Sequence, residues 1–523
     1  LHALLPTPEE MARWDKAAVA LGIRPEILME NASREAMHVL CGLVGDLVGR
    51  GVLLLAGPGN NGGDAIALAR HLHCAGAKVL LAHVKPLSAY KGEAGYNARL
   101  ARKLGLAAEL VTERNLASKA LSWELSRPCV VVDGLLGTGF SGQLSPFFLE
   151  LVETVNRLGR NALVLALDAP TGLSAHTGRP NPTAVRADAT VTFEAAKIGL
   201  AQPFAAPFTG WLHVRPIGIP PEVKDAHPAS AALLGPETLG LLPRPSPEGH
   251  KGSYGHVLVL GGSYGLTGAP VLTALGALRG GAGLATVGCP SGLSLHLKAG
   301  QPDIMTLPLG KGGEWNAGFL DELLPHVGHF NALVVGPGLG RTEGARDFLR
   351  GLLAASSLPP LVLDADALYW LAQEETPPRL PENAVLTPHP REAGRLLGLD
   401  AATVQADRPA AIRALVERTG AMCVLKGAGT LVAAPGQPIH LCPVDAPALS
   451  VGGSGDVLAG LLGALLAQGL SCFKAARLAV WLHASAGLHL AENFPNRGCT
   501  ATEIAAALPH AMKEQPCAPR KTS

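Results

Sequence analysis

Two glycine-rich segments that end in an aspartate stand nearly four hundred residues apart in this chain. One is Gly59-Asn60-Asn61-Gly62-Gly63-Asp64 and the other is Gly452-Gly453-Ser454-Gly455-Asp456. Each runs into a stretch with helical character, Ala65 to Arg70 and Val457 to Leu462. A glycine-rich turn ahead of a helix aims main-chain N–H groups and the positive end of the helix dipole at its contents, which suits phosphate. The terminal carboxylate would repel phosphate, so its purpose there is to handle a proton or to meet a metal. Two such segments predict two anion-binding sites in two domains.

The elements that position them follow from composition and spacing. At 523 residues the chain exceeds one ordinary core, and 48% hydrophobic against 16% charged residues suits buried parallel strands between helices. Runs rich in Val and Leu recur at βα spacing: Val52–Ala56, Lys78–Ala82, Val130–Asp133 and Leu163–Asp168. Helical patterns lie at Thr7–Ala20, Ala94–Leu104 and Pro146–Leu158, with Thr7 a candidate N-cap. This alternation predicts a doubly wound sheet with functional loops at the strands' carboxyl ends. From Ile219 to Gly249 the texture turns proline-rich, with Pro220, Pro221, Pro228, Pro236, Pro243, Pro245 and Pro247. That stretch reads as a connection containing some helix. Strand patterns restart at His256–Leu260, Ala332–Val335, Pro360–Asp364, Ala384–Leu386 and Met422–Leu425, without a convincing internal repeat. The expected fold class is α/β in two domains.

A net charge of +1 offers no electrostatic capture of nucleic acid or anionic membrane. Nine scattered cysteines form no C-x-x-C pair, which disfavours a disulfide framework or zinc site and favours a reducing, cytoplasmic setting. Leu1 to Leu5 carries no basic segment and Pro6 and Pro8 follow at once, so no secretory leader is expected. No apolar run reaches the roughly 18–20 residues of a membrane span. Cys129 and Cys423 read as buried, inert thiols in strands, Trp481 and His483 as parts of a core helix across 475–488, and the tail beyond Leu508 as frayed.

In the first half, Asp133 ends one strand and precedes Gly137-Thr138-Gly139-Phe140-Ser141-Gly142, while Asp168 ends the next in Asp168-Ala169-Pro170-Thr171-Gly172. With the 59–64 segment, these converge at one sheet edge, where α/β proteins bind ligands. The plainer alternative is that both acids cap turns. Together with Leu28-Met29-Glu30-Asn31-Ala32 and Arg186 to Phe193, residues 8 to about 218 resemble the NAD(P)H-hydrate epimerase domain, a Rossmann-like unit. The resemblance implies that Asn60, Asn61, Gly62, Gly63, Asp64, Gly137, Thr138, Gly139, Phe140, Ser141, Gly142 and Gln143 hold the substrate. It implies further that Asp168 acts on the hydrated nicotinamide and that Asn61, Asp133 and Thr171 hold K+. A carboxyl able to give and take a proton suffices to exchange the C6 epimers. Ala65 and Thr171 replace the glycine and serine usual in that family.

The second half carries Gly261-Gly262-Ser263-Tyr264-Gly265-Leu266-Thr267-Gly268-Ala269, Gly336-Pro337-Gly338-Leu339-Gly340, Leu363-Asp364-Ala365-Asp366-Ala367-Leu368, Thr387-Pro388-His389-Pro390-Arg391-Glu392 and Lys426-Gly427-Ala428-Gly429-Thr430 before the final GGSGD. The amides of that last loop suit an anion hole, and its aspartate suits the base that frees a hydroxyl to attack a phosphoryl group. The set resembles the NAD(P)H-hydrate dehydratase branch of the ribokinase-like superfamily. The resemblance implies a hydrate site at Ala269, Gly338, His389 and Asp456, and adenine-nucleotide contacts at Lys426, Gly427, Ala428, Gly429, Thr430 and Gly455. Asp456 is the expected base, and Glu392 is expected to work near Mg2+. His389 could instead be a satisfied loop histidine, and Lys426 a strand-end lysine with a solvated tip. Asp445-Ala446-Pro447 departs from the family's Gly-Asn-Pro.

The expected domains are therefore 1–218 (epimerase, Rossmann-like), 219–248 (linker) and 249–515 (dehydratase, ribokinase-like). The implied activity restores NADH and NADPH from their hydrates at the expense of ADP, in a homo-oligomer of four or more chains. The alternative is a ribokinase-like small-molecule kinase, which usually carries asparagine where His389 stands. A silent nucleotide-binding scaffold would be expected to have lost one of Asp64, Asp133, Asp168 and Asp456.

Overall fold

A computed structural model describes residues 3–374, 380–492, 494–495 and 497–513, and divides the chain into two compact units, Ala3–Ala232 and Leu233 onward. In the first unit seven parallel strands form one sheet in the order β3-β2-β1-β4-β5-β6-β7. They are β1 Gly51–Ala56, β2 Lys78–His83, β3 Ala108–Leu110, β4 Val130–Gly134, β5 Leu163–Leu167, β6 Ala189–Phe193 and β7 Trp211–Arg215. Alternate residues serve opposite faces, as the strand period of two requires. Leu54, Val132, Leu165 and Val191 pack with helices Pro25–Val44 and Asn60–Cys74, while Leu53, Val131, Val164 and Ala166 pack with Leu116–Ser126 and Pro146–Leu158. Burying each such side chain contributes about 1.5–3 kcal/mol. The strand order reverses between β1 and β4, so the loops after these strands diverge and leave a crevice. Helix Pro8–Ala20 starts with a capping box in which Thr7 Oγ1 accepts from Glu10 N–H and Glu10 Oε2 accepts from Thr7 N–H.

The second sheet contains ten strands in the order β11-β10-β9-β12-β13-β14-β15-β16-β17-β8. They are β8 Ala231–Leu233, β9 His256–Leu260, β10 Leu284–Pro290, β11 Met305–Leu309, β12 Ala332–Val335, β13 Leu361–Leu363, β14 Ala384–Leu386, β15 Met422–Leu425, β16 Leu431–Ala433 and β17 Ile439–Leu441. Pairing is parallel from β11 to β15 and antiparallel from β15 to β17. The order reverses again, between β9 and β12. Helix Ser454–Ala467 is apolar on all sides and buried throughout its second half, so it belongs inside the unit and presents only its first turn to a ligand.

Several sequence expectations change. The helices begin within the acid-ended segments, at Asn60 after the N-cap Gly59 and at Ser454 after the N-cap Gly453, so both aspartates already stand on helices. The proline-rich stretch holds helix Pro221–Ala226 and also β8, a strand too short to announce itself by alternation. Cys129 precedes β4 and is only partly buried, its thiol donating to Gly51 O at 3.1 Å, whereas Cys423 is fully buried. Helix Ala501–Ala511 continues past Leu508, where fraying was expected. Leu1 and His2, the domain end at 515 and the tail beyond 513 lie outside the described residues. Among the described residues no helix is long and apolar enough to cross a membrane.

Candidate active sites

In the first unit a cavity of about 890 Å³ opens at the sheet's switch point. Its wall includes Asn60, Asn61, Asp64, Gly137, Thr138, Gly139, Phe140, Ser141 and Asp168, together with Asp15 and Lys197, which the sequence reading did not single out. Gly62, Gly63, Gly142 and Gln143 are not part of that wall. Gly57, Gly62 and Gly63 are there for close approach. A Cβ on Gly57 would stand 1.5 Å from Leu135 O, so the loops after β1 and β4 touch backbone to backbone. Ala65 is tolerated because it packs against Gly134, which offers no side chain.

Asp168 leaves β5 in the left-handed region, with φ of 61°. Its Oδ2 accepts from Thr138 N–H (3.2 Å) and Thr138 Oγ1 (2.7 Å), and its Oδ1 accepts from Lys197 Nζ (2.7 Å). Lys197 is 1% exposed and donates also to Thr192 Oγ1 and Phe193 O. Burial would raise the Asp168 pKa, but the Lys197 charge and the hydrogen bonds from Lys197 and Thr138 hold it below the usual range. Asp168 is thus held as an ionised acceptor. Burial, with the like charges of Asp168 and Asp15, pushes Asp64 well up; burial also lifts Asp15 to about 6. The one signal for Lys197 in the sequence is a lone lysine in the apolar run Ala195-Ala196-Lys197-Ile198.

Asp133 is fully buried beneath this cavity. Its carboxylate accepts from Thr171 Oγ1 (2.7 Å), Thr171 N–H (2.8 Å) and Leu135 N–H (3.2 Å), and burial moves its pKa up to about 6. The Asn61 amide is also buried, with neither its oxygen nor its nitrogen paired among the described residues. Orphaned amide atoms in a buried wall are costly unless a ligand completes them. Oxygen atoms of Asn61, Asp133 and Thr171 suit a monovalent cation.

In the second unit one cavity of about 510 Å³ is lined by Lys426, Gly427, Ala428, Thr430 and Gly455, with His389, Ala446 and His483. Gly429 stands behind the wall, its carbonyl accepting from Arg408. Arg408 is 1% exposed and donates to the carbonyls of Leu425, Lys426 and Gly429, which holds the 425–429 turn from beneath. Lys426 Nζ lies 2.7 Å from Asp364 Oδ1, in a side chain 18% exposed, so the solvated-tip reading fails. His483 is 8% exposed, with Nε2 3.1 Å from Ser454 O and 3.2 Å from Ser454 Oγ. Read from the sequence as part of a core helix, His483 is buried in helix Cys472–Ala491 and also braces the first turn of helix Ser454–Ala467.

His389 caps helix Pro390–Leu397: its Nδ1 accepts from the N–H of Arg391 and Glu392, and Glu392 Oε2 accepts from His389 N–H. An Nδ1 that accepts must be unprotonated, which leaves the ring proton on Nε2. Burial and the Lys426 charge keep this histidine below its ordinary pKa. Asp456 occupies the first turn of its helix. Burial first, then Asp364, raises its pKa to about 7; Lys426 acts the other way, and Asp366 and Glu392 add to the rise. Glu392 is likewise lifted to about 7, chiefly by burial. Gly338 has φ of 61°, and a Cβ there would stand 2.4 Å from Leu266 O and 3.4 Å from Ala269 Cβ, so Gly338 and Ala269 adjoin. Asp364 and Asp366, quoted in the LDADAL motif without a role, are the acids that set the charge of the site. No three His, Cys, Asp or Glu side chains among the described residues converge into a metal cage.

Comparisons with known proteins agree with this two-site layout. The family described as NAD(P)H-hydrate dehydratase matches residues 257–510, and that described as YjeF-related protein N-terminus matches residues 25–199. The bifunctional NAD(P)H-hydrate repair enzyme of Moorella thermoacetica is 36% identical over 517 residues, which cover 97% of this chain and 96% of that protein. The Coxiella burnetii protein of the same name is 36% identical over 498 residues (95% and 96%), and that of Escherichia coli is 34% identical over 496 (94% and 90%). A solved ADP/ATP-dependent NAD(P)H-hydrate dehydratase from Bacillus subtilis shares 27% identity, covering 53% of this chain and 96% of that one, with a TM-score of 0.46. With full-length relatives above 30% identity on both sides of the division, this chain belongs to the family of bifunctional NAD(P)H-hydrate repair enzymes.

Proposed function

We propose that this chain exchanges the R and S hydrates of NADH and NADPH in its first unit and dehydrates the S form in its second, converting ADP to AMP and phosphate. We assign epimerisation to residues 1–218 and dehydration to 249–515. The observation that carries this reading is the position of Asp456. It stands at a helix N-terminus with a pKa near neutrality, under the charges of both Lys426, which lines the nucleotide cavity, and Asp366, which lines a second cavity. A carboxylate of that basicity suits removal of the proton from the C6 hydroxyl. The freed oxygen attacks the terminal phosphoryl group of ADP and AMP departs. The ring nitrogen's lone pair then expels phosphate from C6, and loss of the C5 proton restores the dihydropyridine. Main-chain N–H groups around Gly455 and the Lys426–Thr430 turn suit the charge on the transferring group.

In the first unit Asp168 takes a proton while Asp64 or Asp15, whose elevated pKa values keep a proton available, gives one as the C6–O bond loosens and reforms. Asn61, Asp133 and Thr171 would hold K+, which supplies positive charge against the clustered carboxylates. Asp456 and Glu392 are too few to cage Mg2+ alone, which suits an ion that arrives on the nucleotide's phosphates. We place the enzyme in the cytoplasm, as a tetramer or larger, with ADP favoured over ATP.

The test is to supply the pure protein with mixed R and S NADH hydrates, with and without ADP, and to follow reduced nicotinamide by absorbance. Recovery of both epimers only with ADP supports the reading, and recovery of S alone removes the epimerase. Phosphorylation of a vitamin or sugar without return of NADH would make the chain a kinase.

A further inference from the structure

A buried cation that none of the steps above uses lies behind the nucleotide cavity. Arg408 opens helix Arg408–Thr419, where Asp407 Oδ1 caps the start by accepting from Ala410 N–H at 2.9 Å. Its side chain turns inward, fully buried, to the end of β15 and the turn that follows. Nη2 donates to Leu425 O at 3.0 Å, to Gly429 O at 3.2 Å and to Lys426 O at 3.3 Å. Nη1 donates to Lys426 O at 3.3 Å and to Gln405 Oε1 at 2.7 Å. A guanidinium stays charged and carries its donors in one rigid plane, so it can gather several carbonyls at fixed angles.

The direction of those carbonyls fixes the direction of the N–H groups next to them. In a trans peptide the C=O of one residue and the N–H of the next point to opposite sides of the chain. The 426–427 and 429–430 peptides are both trans. With the carbonyls of Lys426 and Gly429 drawn onto Arg408, the N–H groups of Gly427 and Thr430 face away from it, and both residues line the cavity. The peptide after Leu425 is anchored instead, because Lys426 N–H donates to Pro388 O at 2.9 Å. Thr430 Oγ1 closes the turn by donating to Gly427 O at 2.9 Å. Gly427 has φ of 129°, and a Cβ there would stand 3.1 Å from Arg408 Nη1, so the guanidinium sits directly behind the cavity wall.

We propose that Arg408 is the positioning residue of the nucleotide site: it aims the Gly427 and Thr430 N–H groups at the phosphates of ADP and adds a fixed positive charge behind them. This rests on the dehydratase reading of that cavity. A glycine turn left free would have to be ordered at each binding event, which weakens affinity; Arg408 orders it during folding. Lysine is no substitute, because one ammonium on a flexible stem cannot span these carbonyls and Gln405 together.

Arg408→Lys keeps the buried charge and removes the planar fork. Calorimetric titration of the full chain with ADP should show a Kd raised about 10–100-fold, the range for misplacing a hydrogen bond or two to a charged group. KM for S NADH hydrate and the pH profile of dehydration stay as in the wild type. Arg408→Ala should weaken ADP at least as much, and millimolar guanidinium, unlike ammonium, should restore the affinity. An unchanged Kd in both variants overturns the inference and leaves the dehydratase reading standing. A KM for the hydrate that rises in step with the Kd for ADP also overturns it, because Arg408 would then hold the whole unit together. Should neither variant fold, wild-type protein isotope-labelled at glycine and threonine decides the matter. ADP should slow hydrogen exchange at the Gly427 and Thr430 amides, and bound ADP that protects neither overturns the inference. A wild type that binds no ADP overturns the dehydratase reading as well.

Discussion

The two units each pair an aspartate and a lysine at the carboxyl ends of parallel strands, after β5 and β6 in the first and after β13 and β15 in the second, and leave the aspartate proposed for chemistry in different protonation states. In the first, Lys197 pairs directly with Asp168 at 2.7 Å and holds it ionised despite burial. In the second, Lys426 pairs with Asp364 at the same distance. Asp456 is left among Asp364, Asp366 and Glu392, and rises to about 7. The partner of the lysine thus decides which aspartate is a fixed charge and which can exchange a proton at neutral pH.

Removing the poised group gives the largest effect. Asp456→Asn should lower dehydration about 10²–10⁴-fold, the usual contribution of a positioned base, and leave epimer exchange intact. Following both reactions on the same preparation checks this, and loss of both would contradict two independent sites. Next in size, Lys197→Met leaves Asp168 buried without its partner. It should destabilise the first unit by about 3–5 kcal/mol in denaturant unfolding and raise the pKa that limits epimer exchange. Lys197→Met with Asp168→Asn should recover stability without activity, and a single variant as stable as wild type would break the comparison.

The pH profiles sharpen it. Dehydration needs ionised Asp456, so its rate should climb about tenfold per pH unit below about 7 and level off above. Epimer exchange needs a protonated donor and should fall as pH rises. A fall centred near 6 identifies Asp15, and a fall well above that identifies Asp64. Stability follows the same signs. An aspartate with folded pKa near 7 against an ordinary 3.8 costs the second unit stability as pH rises from about 4 to 7. Asp168, held low, contributes stability that is lost only as pH falls below the ordinary value. Smallest of all, His389→Ala removes a helix cap and should cost about 1 kcal/mol, with calorimetry as the measure.

Much of this was legible in the residues. Strand-forming runs ending in Asp133, Asp168 and Asp364 mark the carboxyl edges of both sheets, because buried parallel strands demand unbroken apolar runs and the first polar residue after them is where the edge begins. Thr7 as N-cap and helix Pro146–Leu158 were readable because capping and helical period are local. Lys197, Arg408 and His483 were not. Lys197 and His483 lie in segments that read as core and Arg408 at a polar helix start, and each acquires its role from partners 29, 18 and 29 residues away for Lys197, Arg408 and His483 in turn, namely Asp168, Lys426 and Ser454. β8, Ala231-Ala232-Leu233, was hidden because it is short, has no β-branched residue and lies in a proline-rich stretch.

Residue order alone determined the two α/β units, their acid-ended helix starts and the family to which they belong, since propensity, apolar spacing and short motifs act over a few neighbouring residues. Charge state, bracing and the second cavity were decided only when distant segments met. Coulomb and desolvation energies depend on separation and burial, and neither is written in the chain's linear order.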